Sequence, residues 1–270
     1  MALREKGILA QTGSSSGLGT ESHGRRKEAE LKAIEFNGVS KSFGNSKVLR
    51  GITFDVQMGA LAGLVGVNGA GKTSLIKCLV DFCDLESGSI AIFGTPHTAI
   101  DARASLAFLP ERFVPPHYLT GKQFLKEISR LSRVPFAENR IQSLLSDLDL
   151  EPNALVKPVR LLSKGMTQKL GLAASLLTQR RLLVLDEPMS GLDPKARACV
   201  KAKLRQLRAT GTTIFMTSHS LADIEEICDH MLVLHNGTVV FSGTPAGFRA
   251  ERGTPSLEQA FLQCIEGGHD

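Results

Sequence analysis

Tryptophan is absent, tyrosine occurs once, and aromatic residues make up 5% of the 270 positions. A core built from this chain must therefore be aliphatic and alanine-rich. No apolar run reaches the length that crosses a bilayer, so a role at a membrane would need another chain to span it. The N-terminal segment lacks the apolar stretch of a secretory signal, and secretion is not expected. The five cysteines, Cys78, Cys83, Cys199, Cys228 and Cys264, are scattered, odd in number and without metal-ligand spacing. That argues against a disulfide framework and for reduced thiols in a cytosolic protein. There is no internal repeat and no polybasic cluster, and the net charge of +5 is spread out. Such a balance suits an anionic ligand or surface without demanding one. At 42% hydrophobic and 22% charged residues the composition is that of a globular protein, and the length fits one large domain or two small ones.

Residues 1–30 are rich in Gly, Ser, Arg, Lys and Glu and lack apolar periodicity, which reads as a flexible extension. From Leu31 the pattern changes. Residues 31–36 and 52–56 read as short strands, and 62–65 as a compact apolar run followed by a Gly-rich turn and a helix over 72–80. Residues 115–180 read mainly as helix, with Phe124, Ile128 and Leu131, then Ile141, Leu144, Leu145 and Leu148, at helical spacing. The run 182–185 suits a buried parallel strand. A helix over 196–209, a strand over 213–217, a hairpin turning at Asn236-Gly237 and a short amphipathic helix over 256–265 complete the pattern. Strands alternating with helices imply an α/β fold with a mostly parallel sheet covered on both faces.

Residues 66–73 run Gly-Val-Asn-Gly-Ala-Gly-Lys-Thr, the pattern G-x-x-x-x-G-K-[ST]. Gly66, Gly69 and Gly71 let the backbone curl so that N–H groups point inward, and the following helix N-terminus completes a nest for phosphate oxygens. Asn68, Ala70 and Ser74 belong to the same candidate cradle. Lys72 sets a positive charge near the β- and γ-phosphates, and the Thr73 hydroxyl suits Mg²⁺. The apolar run 182–185 ends in Asp186-Glu187. Carboxylates at the end of a buried strand need a charge or metal to offset their burial. Beside a phosphate loop, Asp186 is placed to help hold Mg²⁺ through water and Glu187 to polarise an attacking water. The competing reading, two acids capping a helix ahead of Pro188, is the weaker one once the phosphate loop is present.

With these residues in place the chain resembles the nucleotide-binding domain of ABC transporters. Leu162-Ser163-Lys164-Gly165-Met166 is similar to the family signature L-S-G-G-Q, in a form seen in multidrug-export or ABC-2 ATPases. The resemblance covers about residues 31–245. It implies a P-loop NTPase fold with an antiparallel β subdomain and an inserted α-helical subdomain over about 115–180, followed by a short tail, 246–270, with one helix. It also implies roles. Phe43 stands where an aromatic stacks on adenine, Asp193 lies in the D-loop, and His219 is the switch histidine that contacts the γ-phosphate. Ser163 and Gly165 would face the γ-phosphate held by a second ATPase subunit, a copy or a different chain. Partner and place follow from the same resemblance: an integral membrane permease at the cytoplasmic face of the membrane, with ATP and Mg²⁺ as ligands and no nucleic acid. The helical region near 115–165 and the loop at Glu111 would receive the permease.

Three departures stand out. Glu111 occupies the Q-loop position, where the family norm is Gln; a carboxylate there still suits Mg²⁺ or water. Lys164 replaces the first glycine of the signature pair and Met166 its glutamine, so Lys164 is expected to tune the rate. A separate stretch, residues 12–19, fits the T-G-x-x-x-G-x-G turn of short-chain dehydrogenases, with Tyr118 and Lys122 at Y-x-x-x-K spacing. That turn needs a buried strand before it and a helix after it; residues 7–11 are too short for the one and 20–27 too polar for the other. The remaining alternative is a soluble ABC ATPase acting in cluster assembly or on nucleic acid or the ribosome. The short tail ending in Ser256-Leu257-Glu258-Gln259-Ala260-Phe261-Leu262 resembles export-class ATPases instead.

Overall fold

A computed structural model describes residues 31–266; the expected extension over 1–30, with its dehydrogenase-like turn, lies outside the described residues. β1 (Lys32–Phe43) and β2 (Ser46–Gln57) form a long antiparallel hairpin. β3 (Leu61–Val65) leaves that sheet to join a second one and is followed by α1 (Lys72–Leu79). The chain returns to the first sheet with β4 (Ser87–Ile92) and the two-residue β5 (Thr95–Pro96), giving the order β2-β1-β4-β5. A short α2 (Ile100–Ala104) leads to β6 (Leu106–Leu109). Three helices follow, α3 (Gly121–Ser132), α4 (Glu138–Asp147) and α5 (Lys164–Leu177). Then come β7 (Leu182–Leu185), α6 (Pro194–Ala209), β8 (Thr213–Thr217) and α7 (Leu221–Ile227). The hairpin β9 (His230–His235) and β10 (Thr238–Gly243) precedes α8 (Pro245–Arg252) and α9 (Leu257–Glu266). The second sheet has the order β10-β9-β3-β8-β7-β6 and is parallel except at β10. This is the P-loop NTPase fold, a mostly parallel core sheet beside an antiparallel one.

Strand alternation divides the core sheet between two apolar clusters. Leu61, Leu183, Leu185, Ile214, Met216, Met231 and Val233 face a cluster that includes residues of α3 to α9. Their neighbours Ala62, Leu64, Leu182, Val184, Phe215 and Leu232 face α1 and the antiparallel sheet. Both faces being covered, β3, β7 and β8 are buried along their whole length, which is why β3 and β7 read as compact apolar runs and β8 as an apolar centre between two threonines.

Several elements differ from the expectation. β1 and β2 run for 12 residues each; register shifts break the period-2 pattern, which marked only the first half of β1 and the second half of β2. β6 is a four-residue apolar strand, too short to be told from a loop by periodicity. Of the stripe expected on α3, Phe124 is buried and Ile128 packs against the core, but Leu131 is 68% exposed, and Leu125 is buried in addition. The tail carries two helices, not one. α8 escaped notice because Phe248 is its one large apolar side chain, yet Phe248 is fully buried with its ring 4.5 Å from that of Phe241. Truncating it to alanine would cost about 3–5 kcal/mol. No helix among the described residues is long and apolar enough to cross a membrane, and all five cysteines are free.

Candidate functional site

The carboxyl ends of β3, β8, β7 and β6 lie side by side in the core sheet. Each is followed by a segment carrying one of the expected residues, so four stretches far apart in sequence share one edge. Lys72 follows β3, His219 follows β8, Asp186-Glu187 follows β7 and Glu111 follows β6. A cavity of about 450 Å³ opens there, lined by residues 68–74 together with Val48, Glu111, Asp186, Glu187 and His219. In open α/β sheets, ligands bind at this edge.

The loop 66–71 is shaped by close backbone approach. Gly71, at the N-cap of α1, has φ of 110°, a left-handed geometry that a side chain would strain. At Gly66 a Cβ would collide with the Leu234 carbonyl oxygen of β9. No side chain caps α1, so its first N–H groups keep their capacity for a ligand. Lys72 is buried, and its ammonium donates to the carbonyls of Gly66 at 2.6 Å and Val67 at 3.2 Å. Burial holds that ammonium below its ordinary value, against the pull of Glu187, Asp186 and Glu111.

Thr217, the last residue of β8, organises the acidic pair. Its hydroxyl donates to Asp186 Oδ1 at 2.6 Å and accepts the Glu187 N–H at 2.8 Å. Glu187 sits at φ 50°, a conformation that costs a non-glycine residue about 1 kcal/mol or more and persists only where its surroundings enforce it. They do so from three sides. Besides Thr217, the buried Gln168 side chain of α5 donates to the Glu187 carbonyl at 3.3 Å and the Pro188 carbonyl at 3.2 Å. The His219 N–H meets Glu187 Oε2 at 3.3 Å. The His219 imidazole comes within 3.3 Å of Glu187 Oε1, but without the alignment of a hydrogen bond, so this buried oxygen has no donor. Burial raises the Glu187 carboxyl above its ordinary value, opposed chiefly by His219 and Lys72. Asp186 is raised likewise by burial, while Thr217, Thr73 and Lys72 favour its charged form and Glu111 disfavours it. Sequence reasoning assigned no role to Thr217 or Gln168. The signal for Thr217 was a β-branched hydroxyl at the end of a buried strand whose centre is apolar.

The other expected residues lie elsewhere. α6 begins only at Pro194 and is capped by Asp193, whose Oδ1 accepts the Ala196 N–H at 2.9 Å; neither Asp186 nor Glu187 caps it. Ser163 is exposed and caps α5, its Oγ accepting the Met166 N–H at 3.2 Å. The exposed Lys164 lays its stem against Gly191, and Gly165 approaches the Gly191 carbonyl. Ser163, Gly165 and Asp193 thus lie outside the cavity lining. Phe43 is also outside the lining, half-exposed at the end of β1, with Lys41 Nζ 5.2 Å from its ring centroid. Tyr118 is 82% exposed and Lys122 pairs with Glu138 at 2.6 Å, an arrangement with no dehydrogenase character.

The residues present fit a nucleoside triphosphate with its magnesium. An uncapped helix N-terminus and a buried ammonium suit polyphosphate. Mg²⁺ in such a site takes a hydroxyl, a carboxylate, water and phosphate oxygens. Thr73 and Asp186 would hold it, with Glu111, which shares the same lining, as the third expected ligand.

The family described as ABC transporter matches residues 49–190, more than half of the chain. The chain is 36% identical to the Nod factor export ATP-binding protein I of Rhizobium sp. over 79% of its own length and 71% of the relative's. It is 38% identical to an uncharacterized ABC transporter ATP-binding protein of Nostoc sp. over 74% of its length, and spans only 61% of that relative. Among solved structures, an ATP-binding subunit of an ABC transporter superposes with a TM-score of 0.78 at 30% identity, covering 86% of this chain and 99% of the other.

Proposed function

The chain belongs to the ABC transporter family, and from that premise we propose that it binds ATP with Mg²⁺, hydrolyses the γ-phosphate bond and thereby drives export through a separate integral membrane permease. The observation that carries this reading is the convergence of Lys72, Asp186, Glu187 and His219 on one cavity over an uncapped helix N-terminus. In use, Lys72 exchanges its two loop carbonyls for phosphate oxygens, which relieves the cost of burying its charge. Glu187 Oε1, lacking a donor, accepts a hydrogen bond from the attacking water and takes its proton. The raised carboxyl makes it a better base than an exposed glutamate. His219, fixed two residues past β8, offers its exposed imidazole to the γ-phosphate. Mg²⁺ held at Thr73 and Asp186 would neutralise charge developing on the phosphate oxygens.

The signature segment and Asp193, exposed and outside the cavity, fit a site completed by a second ATPase subunit, the same chain or another, so that ATP binding closes the pair and hydrolysis opens it. Export is supported by the Nod factor export relative; the protein would sit at the cytoplasmic face of the membrane. Glu187→Gln is expected to bind ATP normally and to lower kcat by about 10²–10⁴-fold, the usual contribution of a positioned general base, in a single-turnover assay. With ATP present, the same variant, tagged and recovered from detergent-solubilised host membranes, is expected to retain a multi-span membrane protein in stoichiometric amount, read by mass spectrometry. Recovery of soluble or ribosomal proteins alone would shift the function to a soluble ABC ATPase.

A further inference from the structure

At the opposite edge of the core sheet, where β7 and β8 begin, a second cavity of about 190 Å³ lies between α4, the end of α5 and α6. Its apolar lining comes from Leu176, Leu183 and Leu207, and its polar lining from Arg140, Arg180, Gln179 and Thr212. Both arginines are half-buried. Neither forms an ion pair among the described residues; the Arg180 guanidinium has one long hydrogen bond, to the Ser132 carbonyl at 3.4 Å.

Three cations of the adjacent α6 do have acidic partners. On α6, Lys203 pairs with Asp147 at 2.7 Å, Arg205 with Glu226 at 2.6 Å and Arg208 with Asp229 at 2.6 Å. Two cations that line one small cavity without an acidic partner leave guanidinium donors available there, and an anion in the cavity would pair with them. A guanidinium presents a planar fork of donors matched to a carboxylate. The apolar lining has room for a few carbons.

We propose that this cavity binds a carboxylate carrying a short apolar body, with Arg140 and Arg180 on the carboxylate and Leu176, Leu183 and Leu207 on the carbons. The shared chemistry covers a free short-chain acid and the C-terminal residue of a partner chain. The site is independent of the nucleotide cavity, which lies at the other end of the same strands.

The test uses the full chain and thermal unfolding at fixed ionic strength, with pentanoate, acetate, pentanamide and inorganic phosphate as probes. Pentanoate is expected to raise Tm saturably, acetate more weakly and pentanamide not at all. Arg140→Gln and Arg180→Gln are each expected to weaken the pentanoate response tenfold or more while leaving ATP binding unchanged, which shows that both variants fold. A short peptide with a C-terminal leucine that acts at lower concentration than pentanoate, and loses its effect on C-terminal amidation, would identify a chain terminus as the source; the reverse order would identify a free acid. A pentanoate response equal to that of acetate, a response untouched by both substitutions, or a response to phosphate in place of pentanoate overturns the proposal.

Discussion

α1 and α5 both begin beside residues of expected function, and their N-termini are built in opposite ways. α1 has no capping side chain, starts from a glycine at φ 110° and buries a lysine in its first position. α5 is capped by the Ser163 hydroxyl and leaves Ser163 and Lys164 exposed. A capped terminus has satisfied part of its N–H requirement within the chain; an uncapped one in a cavity keeps it for a ligand. The difference separates a half-site ready for phosphate on this chain alone from a surface whose proposed ligand arrives with a second subunit.

The comparison is broken most sharply at Lys72. Lys72→Ala removes the one buried ammonium of the cavity, and ATP affinity is expected to fall by about 10–100-fold, matching the 1.5–3 kcal/mol of a charge-assisted hydrogen bond, in equilibrium titration with a fluorescent nucleotide. Unchanged affinity would place the phosphates elsewhere. Thr217→Val acts on the same half-site from beneath: it strands Asp186 Oδ1 and the Glu187 N–H together, and urea unfolding is expected to show a loss of roughly 1–3 kcal/mol.

Acidity provides a finer probe. Glu187 is raised by burial above its ordinary 4.5, so the unfolded chain gives up this proton at lower pH than the folded one. The folded state therefore loses stability as pH rises from below 4.5 through the folded value, and the deficit persists at neutrality. Nucleotide-free Glu187→Gln is expected to melt above wild type at neutral pH, by about 2–4 °C for each kcal/mol relieved, and the gap to close below pH 4.5. A constant gap across that range would mean that the carboxylate charge is not the cause. The smallest effect belongs to α5: Ser163→Ala is expected to cost about 1 kcal/mol without nucleotide, leaving ATP affinity of the single chain intact by the same titration.

Much of the phosphate side was legible beforehand because it is local. The glycines that shape the loop, Lys72 at the start of α1 and Asp186-Glu187 at the end of an apolar run are each set by neighbours in sequence. The core strands were equally visible, since burial on both faces leaves them apolar at their centres. β1 and β2 were half visible, because bulges interrupt their alternation, and α8 was hidden because its stability rests on packing Phe248 rather than on a stripe of its own.

The sequence by itself determined the parallel core, the phosphate loop and the acidic pair, because period, turn chemistry and helix starts act over a few residues. Tertiary structure alone decided that four strand ends meet at one edge, that Thr217 and Gln168 hold Glu187 in a strained backbone, that Phe43 and the signature segment stay outside the cavity, and that two arginines line a pocket at the far edge. Those are contacts between segments distant in the chain, set by strand order and burial, which no local pattern encodes.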